Sequence, residues 1–340
     1  MRSHIRIARL QMAENSALPA EASAFLRQHL GDDWTARPLA GDASVRAYYR
    51  ISRSDGATFM LAWYPEEVRP QLRRFLDAYH AVAASRHIPE LLQYGDAAAL
   101  QQDVGDRTLF DILHENRDEG VRLYRDAIEM LVAFQQCPAM DINPPFTADF
   151  FDAELEMTRD FYVEQLMGTP REQSERLRPL FRKLAEKIAQ HPYVLCHRDF
   201  HGQNIHTHNG QLYLIDYQDL RMGPDTYDLA SLLRDRGVAR ILGHETELDF
   251  VDHYRRTSGT DEAVRQRYFE SLLQRSVKIL GTFSKQPIAR GRMHYLEFIP
   301  PTLESVRLCL DRLPDFAALG SLLPMNFAIE AARRRLERRH

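Results

Sequence analysis

Residues 194–219 read VLCHRDFHGQNIHTHNGQLYLIDYQD, a stretch in which two predicted strands each end in polar residues. The first strand is apolar and leads into a polar cluster made of His197, Arg198, Asp199, His201 and Asn204. Asn209-Gly210 is a strong signal for a two-residue β-hairpin, and the second strand of that hairpin ends at Asp216. The stretch therefore predicts two strand ends that present carboxylate and amide side chains.

Three of these residues have the side chains that phosphoryl transfer needs. One carboxylate must orient the attacking hydroxyl and accept its proton, and further oxygen ligands must hold magnesium against the β- and γ-phosphates of a nucleotide. Asp199, Asn204 and Asp216 fit these roles in chain order. We therefore predict that Asp199 is the catalytic base and that Asn204 and Asp216 bind Mg²⁺.

The same residues resemble the catalytic loop H-R-D-x-x-x-x-N of protein kinases and the metal-binding Asp that follows it. Tyr217-Gln218 stands where a protein kinase has Phe-Gly, which argues against a eukaryotic-type protein kinase. His201, the Ile-Asp ending and GPDTYDLASLL look instead like the superfamily of aminoglycoside phosphotransferases and choline kinases. LAGDASVRAYYR, DVGDRTL, IDYQD and YDLASLLRDRG are similar to its bacterial anomeric kinases of N-acetylmuramate and N-acetylglucosamine.

This resemblance implies an α+β, bilobal, protein-kinase-like fold. Residues 1–102 would form the N-lobe, a small antiparallel sheet with one helix, and residues 103–340 a helical C-lobe with the catalytic loop and the substrate pocket. ATP and Mg²⁺ would be the cofactors, with the nucleotide in the cleft between the lobes. The implied reaction moves the γ-phosphate of ATP to a sugar hydroxyl, the anomeric one in this subgroup, which serves cell-wall sugar recycling.

Further site residues are implied by the resemblance alone. On the nucleotide side, the phosphates would be covered by the turn Gly41, Asp42, Ala43 and Ser44, and the purine would meet the backbone of a hinge from Gln102 to Val104. Asp228 would brace the catalytic loop from below, and His197 would support the same loop. The sugar substrate would contact His201, Arg234 and Asp235.

One departure from the kinase pattern concerns the third strand, which in protein kinases carries a lysine for the α- and β-phosphates. Residues 57–65 read ATFMLAWYP and contain no lysine. The anomeric sugar kinases show a similar absence, which supports that subgroup. Arg46 or Arg50 on the preceding strand could supply the missing cation.

The first hundred residues have the pattern of a small sheet with one packed helix. Short β-branched or aromatic runs predict strands at Thr35–Leu39, Val45–Ser52, Thr58–Trp63, Leu91–Tyr94 and Ala98–Gln102. Amphipathic runs predict helices at Leu18–Leu30 and Pro70–Ser85. Beyond Asp106 helical periodicity dominates, for example at Ser174–Gln190.

Composition restricts the classes of partner. The 340 residues have a formal charge of -4, which offers no general attraction for nucleic acid. Cys137, Cys196 and Cys309 are too few and too scattered for a disulfide framework or a paired zinc motif. No apolar run is long enough to span a membrane. We expect a cytoplasmic protein without nucleic-acid or membrane partners, monomeric by default.

Several alternatives stay open at this stage. The acceptor could be an aminoglycoside, choline, homoserine or a methylthio sugar, or the chain could be a non-catalytic kinase-like nucleotide-binding module. The histidines at 197, 201, 206 and 208 could suggest a zinc site, although His206 and His208 are expected to face solvent. Asp225 is predicted to cap the helix after it. Arg234 and Asp235 could form a salt bridge rather than contact substrate.

Overall fold

The structure is a computed structural model that describes residues 18–39, 46–138 and 142–337. The predicted phosphate-covering turn Gly41–Ser44 lies outside these residues. The chain divides into two compact units. The first comprises Met1–Arg107 and His206–Gln218, and the second comprises Thr108–Ile205 and Asp219–His340.

Strands and helices alternate early in the chain, and helices dominate later. The strands are β1 (Thr35–Leu39), β2 (Ala47–Ser52), β3 (Thr58–Trp63), β4 (Leu91–Tyr94), β5 (Ala98–Gln102), β6 (Tyr193–Cys196), β7 (Ile205–His208), β8 (Gln211–Leu214) and β9 (Arg221–Pro224). The helices are α1 (Ala20–Leu30), α2 (Pro70–Val82), α3 (Leu109–Glu115), α4 (Arg117–Gln135), α5 (Ala148–Thr158), α6 (Arg171–Ser174), α7 (Arg178–Ile188), α8 (Tyr227–Arg234), α9 (Val238–Leu242), α10 (His244–Ser258), α11 (Val264–Arg290), α12 (Ile299–Arg312), α13 (Leu319–Leu322) and α14 (Ile329–Glu337). A π-helical segment, Arg159–Leu166, continues α5.

The first unit contains an antiparallel sheet with the strand order β1-β2-β3-β5-β4. Helix α1 covers one face, where Leu26 packs with Ile51, Leu61 and Leu100 in a buried apolar core. The predicted meander is confirmed, and β1, β3, β4 and β5 have the predicted bounds. The hairpin β7–β8 is also confirmed. Its turn residues Asn209 and Gly210 both have positive φ, as a type I′ turn requires.

Helix boundaries differ from the predictions where proline or local turns intervene. Helix α2 ends at Val82, and a 3₁₀ turn occupies Ala83–Ser85. The predicted helix Ser174–Gln190 is divided, because α6 ends at Ser174 and a 3₁₀ turn precedes α7. Pro179 lies in the first turn of α7, where its missing N–H costs no hydrogen bond. Proline therefore marks the start of α7.

The second unit is built around α11, a helix of 27 residues that is buried on most sides. Helices α5, α8 and α12 pack against it. Buried charged groups must be paired, and Arg267 of α11 accordingly binds the buried carboxylate of Asp225, at 2.8 Å. The prediction that Asp225 caps the next helix is therefore wrong. Its carboxylate is held by Arg267, and α8 begins after Thr226 without a side-chain cap.

Helices α5 and α11 approach closely at Gly281. A Cβ atom at this position would lie 2.7 Å from Thr158 Oγ1 and 2.8 Å from the Thr158 backbone. At the same crossing, the Thr158 hydroxyl donates to the carbonyl of Val277 at 2.6 Å. The absence of a side chain at Gly281 thus sets the separation of the two helices. In the part of the chain that the structure describes, no helix is long and apolar enough to cross a membrane.

Gly281→Ala is expected to lower the free energy of unfolding by about 1–3 kcal/mol, because the added methyl group overpacks the α5–α11 contact. Urea denaturation would measure the loss. Gly320→Ala is the control, since the closest atom to its new Cβ is the flexible Leu310 Cδ1, at 3.2 Å. Equal effects of the two substitutions would contradict a tight contact at Gly281.

Candidate active site

The catalytic loop leaves β6 at His197 in a strained backbone conformation. Arg198 has a φ of 80°, in the left-handed region that side chains other than glycine seldom adopt. The buried carboxylate of Asp228, on α8, accepts hydrogen bonds from the amides of His197, at 2.6 Å, and Arg198, at 2.9 Å. Burial raises the pKa of Asp228, although the charge of His197 and these backbone bonds act in the opposite direction. These two bonds connect α8 to the start of the loop, and the bracing role of Asp228 stays a prediction.

The loop is closed by bonds to the backbone of Asp199. The Asp199 carbonyl accepts from the His201 amide at 3.0 Å and from the Asn204 side-chain amide at 2.9 Å. Because Nδ2 of Asn204 is the donor, its Oδ1 is the atom that could bind a metal. The loop therefore fixes the orientation of the Asn204 amide relative to Asp199.

The side chain of Asp199 has 59% of its surface exposed to solvent, but many protein atoms lie within a short distance of its carboxylate. A guanidinium nitrogen of Arg275 lies 3.8 Å from Asp199 Oδ1, and another donates to the Arg198 carbonyl at 2.8 Å. Desolvation would raise the pKa of Asp199, but the charges of Lys278 and Arg275 outweigh it and hold this pKa well below its ordinary value. Asp199 is therefore ionised near neutral pH and can accept a proton.

The residues expected on the substrate side have different surroundings. His201 is buried, and burial lowers its pKa. Arg234 forms a salt bridge with the fully buried Glu247, with Nε 2.6 Å from Oε1. Asp235 is 10% exposed and lies 3.4 Å from Arg275. The guanidinium of Arg234 is thus held by Glu247, and Asp235 lies beside Arg275 rather than beside Arg234.

In the first unit, Asp216 follows β8 with a φ of 65°, so its backbone, like that of Arg198, lies in the left-handed region. The Gln218 side-chain amide donates to Asp216 Oδ1 at 2.8 Å, and Arg46 lies 3.8 Å from the same oxygen. The Arg46 side chain is only 11% exposed and lies near the rings of Tyr48 and Tyr64. Asp216 and Arg46 therefore form one charged cluster.

Arg50, the other candidate cation, is bound by two carboxylates. Its Nε lies 2.6 Å from Asp103 Oδ2, and its NH1 donates to Asp106 at 2.7 Å. The hydrogen bond to Asp106 is the main cause of the raised pKa of Arg50. Both partners precede Arg107 in the segment that follows β5. Arg50 therefore ties β2 to this segment.

The expected hinge begins where β5 ends. The Gln102 amide donates to the Glu90 carbonyl at 2.8 Å, and the Gln102 side chain bonds to the Tyr213 hydroxyl at 3.4 Å. Val104 comes two residues later, outside the sheet, and is buried. Within the described residues, neither backbone group of Val104 hydrogen-bonds to the protein.

The histidines at 206 and 208 have separate partners. His206 bonds to the Gly105 carbonyl through Nδ1 at 2.8 Å, and the His208 ring packs against Tyr213. Both side chains are partly buried, so they face solvent only in part. No three His, Cys, Asp or Glu side chains cluster as a metal site within residues 18–39, 46–138 and 142–337.

Comparison with known proteins decides the family. Residues 35–268, more than half of the chain, match the phosphotransferase enzyme family APH. The chain belongs to the APH family. An N-acetylmuramate/N-acetylglucosamine kinase from Pseudomonas aeruginosa is 27% identical over 305 residues, which cover 84% of this chain and 87% of the relative. A kinase of the same name from Neisseria meningitidis is 28% identical over 305 residues, with 84% and 88% covered.

Solved structures of the APH type share the fold. An ADP-bound aminoglycoside phosphotransferase, APH(2'')-Ib, aligns with a TM-score of 0.61 and 15% identity, over 85% of this chain and 98% of the other. A choline kinase from Streptococcus pneumoniae aligns with a TM-score of 0.60 and 13% identity, over 84% and 97%. The predicted α+β, bilobal, kinase-like fold is confirmed, and the APH assignment makes the chain a phosphotransferase.

Sequence reasoning did not identify the cations beside Asp199. Arg275 and Lys278 lie one turn apart on α11, and Lys278 is 3.7 Å from Glu154 on α5. The sequence feature that could have identified them is QRSVK at residues 274–278. It places two basic residues, Arg275 and Lys278, in a largely buried part of α11. That run matches no catalytic motif, so only the packing of α11 brings these charges to the loop.

Asp228→Asn is expected to lower kcat for phosphoryl transfer at least about tenfold, because hydrogen bonds to a charged acceptor are worth about 1.5–3 kcal/mol and one loop amide would lose its acceptor. Asp225→Asn is the matched control, a buried aspartate that pairs with Arg267 instead. It should lower the melting temperature but keep kcat near the wild-type value. Equal kcat values in the two folded variants would contradict the bracing role.

Proposed function

We propose that this APH-family enzyme is a Mg²⁺-dependent kinase that transfers the γ-phosphate of ATP to the anomeric hydroxyl of an N-acetylated amino sugar. N-acetylmuramate and N-acetylglucosamine are the proposed acceptors. The names of the curated relatives support this choice, as their alignments cover most of each chain. The ADP bound to APH(2'')-Ib supports an adenine nucleotide as the phosphate donor.

The observation that carries the choice of acceptor is the charge beside Asp199. Arg275 lies 3.8 Å from this carboxylate, and Lys278 is its strongest electrostatic neighbour. The carboxylates of Asp235 and Glu154 pair with these two cations, so groups of both signs lie in this region. A sugar offers hydroxyl donors and oxygen acceptors to groups of both signs. Amino sugars with an N-acetyl group fit, because acetylation removes the charge of the amine.

Three residues have the central roles in this proposal. Asp199 accepts the proton of the acceptor hydroxyl as the hydroxyl oxygen bonds to the γ-phosphorus; the bond from that phosphorus to the β–γ bridging oxygen breaks, and ADP leaves. Asn204 and Asp216 offer hard oxygen ligands, and Mg²⁺ in such sites is held by one or two protein groups together with phosphates and water. When bound, the metal neutralises charge on the phosphates. An anomeric hydroxyl is more acidic than an ordinary alcohol, so it needs less from a carboxylate base.

On the nucleotide side, the unpaired backbone of Val104 is the proposed contact for the purine, next to Gln102. The turn Gly41–Ser44 is proposed to cover the phosphates. Arg46 is the better candidate for the cation that β3 lacks, because its partner is the proposed metal ligand Asp216. Arg50 already has two carboxylate partners. His201 and Asp235 remain proposed sugar contacts.

Arg46→Met is expected to raise the KM for ATP at least about tenfold, because a charge-assisted hydrogen bond to a phosphate is lost. The KM for the sugar should stay within about twofold, since the charge acts on the nucleotide. Arg50→Met, on strand β2 just after Arg46, is the matched control and should affect stability more than the KM for ATP. Steady-state kinetics of both variants decide between the two arginines. A larger ATP effect in Arg50→Met would reverse the assignment.

Phosphorus NMR of products tests the function as a whole. Purified enzyme with ATP and Mg²⁺ would be given a panel of acceptors: N-acetylmuramate, N-acetylglucosamine, choline, homoserine, a methylthio sugar and an aminoglycoside. A sugar 1-phosphate is expected, with no turnover of the 1-deoxy analogue. Asp199→Ala serves as the inactive control, with a rate lower by about 10²–10⁴. A 6-phosphate, turnover of the 1-deoxy sugar, or phosphorylation of the cationic acceptors alone would overturn the proposal.

A further inference from the structure

Glu154 and Lys278 face each other beside the catalytic loop. Glu154 lies on α5 and Lys278 on α11, and the distance from Nζ to Oε1 is 3.7 Å. Their side chains are 12% and 17% exposed, so both are largely enclosed but reachable from solvent. Burial acts to lower the pKa of Lys278, but Tyr227, Glu154 and Asp199 act in the opposite direction and this pKa is raised. The pair therefore places a lysine ammonium beside a carboxyl group, one helical turn from Arg275, which contacts the proposed base.

The pair has unused hydrogen-bonding capacity. A separation of 3.7 Å is too long for a hydrogen bond, and Nζ of Lys278 makes none with the described residues. On Glu154, Oε2 accepts from the Gln274 side chain at 3.1 Å, whereas Oε1 accepts no hydrogen bond from that part of the chain. Enclosed charged groups are normally satisfied by hydrogen bonds. Here an ammonium and a carboxylate oxygen retain sites for further partners.

The helix contact does not depend on this ion pair. Helices α5 and α11 are held together by the close approach at Gly281 and by the bond from Thr158 to Val277. These contacts place Glu154 opposite Lys278, one turn away from the crossing. The ion pair is therefore a consequence of the packing, and its long separation leaves room for polar groups to bridge it.

We propose that Lys278 and Glu154 bind the acceptor, with Nζ donating to an acceptor oxygen and the carboxylate accepting from an acceptor hydroxyl. This inference rests on the proposed function in one respect, namely that the acceptor is a polyhydroxylated neutral or acidic sugar. A sugar presents hydroxyl donors and oxygen acceptors side by side, which a paired ammonium and carboxylate can satisfy together. The proposed contact lies next to Asp199 and differs from Arg234, whose guanidinium is bound by Glu247.

Kinetics of Lys278→Met and Glu154→Gln test the inference, with N-acetylglucosamine and N-acetylmuramate as acceptors. In each variant kcat/KM for the sugar is expected to fall at least about tenfold, because one charge-assisted hydrogen bond to the sugar is lost. The KM for ATP should stay within about twofold. Lys285→Met, at an exposed position on the same helix, is the matched control and should leave both parameters unchanged.

The double variant Lys278→Met/Glu154→Gln separates binding from charge balance. If the two residues only neutralise each other, the double variant restores kcat/KM, because no unpaired buried charge remains. If both contact the sugar, the double variant stays at least as impaired as either single variant. Melting temperatures identify variants that fail to fold, and Lys278→Arg, which keeps the charge, should recover part of the lost kcat/KM.

Failure of this inference can be told apart from failure of the proposed function. The same assays would be run with whichever acceptor of the panel the wild-type enzyme phosphorylates fastest. If that acceptor is not an amino sugar, the proposed function is wrong, and the variants still report on acceptor binding. If amino sugars are phosphorylated but Lys278→Met and Glu154→Gln keep wild-type kcat/KM, or the double variant recovers it, the inference is overturned and the function stands.

Discussion

A single buried carboxylate, that of Asp228, accepts hydrogen bonds from two consecutive backbone amides and so holds Arg198 in a left-handed conformation. Such a conformation costs of order 1–3 kcal/mol and persists only where surrounding contacts enforce it. The direction in which Asp199 leaves the backbone depends on this arrangement. Arg275 binds the carbonyl of Arg198, so the strained residue is held from both its amide and its carbonyl.

Charge is distributed unevenly around the Asp199 carboxylate. Burial alone would raise the pKa of Asp199, but the charges of Lys278 and Arg275 on α11 outweigh it and keep the carboxylate ionised. Arg275 is in turn balanced by Asp235, and Lys278 by Glu154. A carboxylate surrounded in this way keeps its ionised form over a wide pH range. Its basicity is correspondingly low, which is compatible with the acidic anomeric hydroxyl of the proposed function.

The catalytic stretch was open to prediction because strand ends, a hairpin turn and side-chain chemistry are all local in sequence. The bounds of β1, β3, β4 and β5 and the hairpin at Asn209-Gly210 follow from such local signals. Asp225 was misassigned because its partner, Arg267, lies on a distant helix. Arg275 and Lys278 were not predicted for the same reason. The periodicity of a helix indicates which of its faces are buried, but it does not indicate which loop a buried charge contacts. The roles of the site residues themselves stay predictions until they are tested.

The close approach of α5 and α11 at Gly281 also bears on how acceptor preference could evolve. Thr158 and Gly281 are distant in sequence, and their role here is to set the spacing of two helices rather than to contact a ligand. A larger residue at Gly281, or a residue of different size at Thr158, would change the helix separation and so move Glu154 relative to Lys278. Selection for a new acceptor could therefore act on this spacing and leave every polar residue of the catalytic loop unchanged.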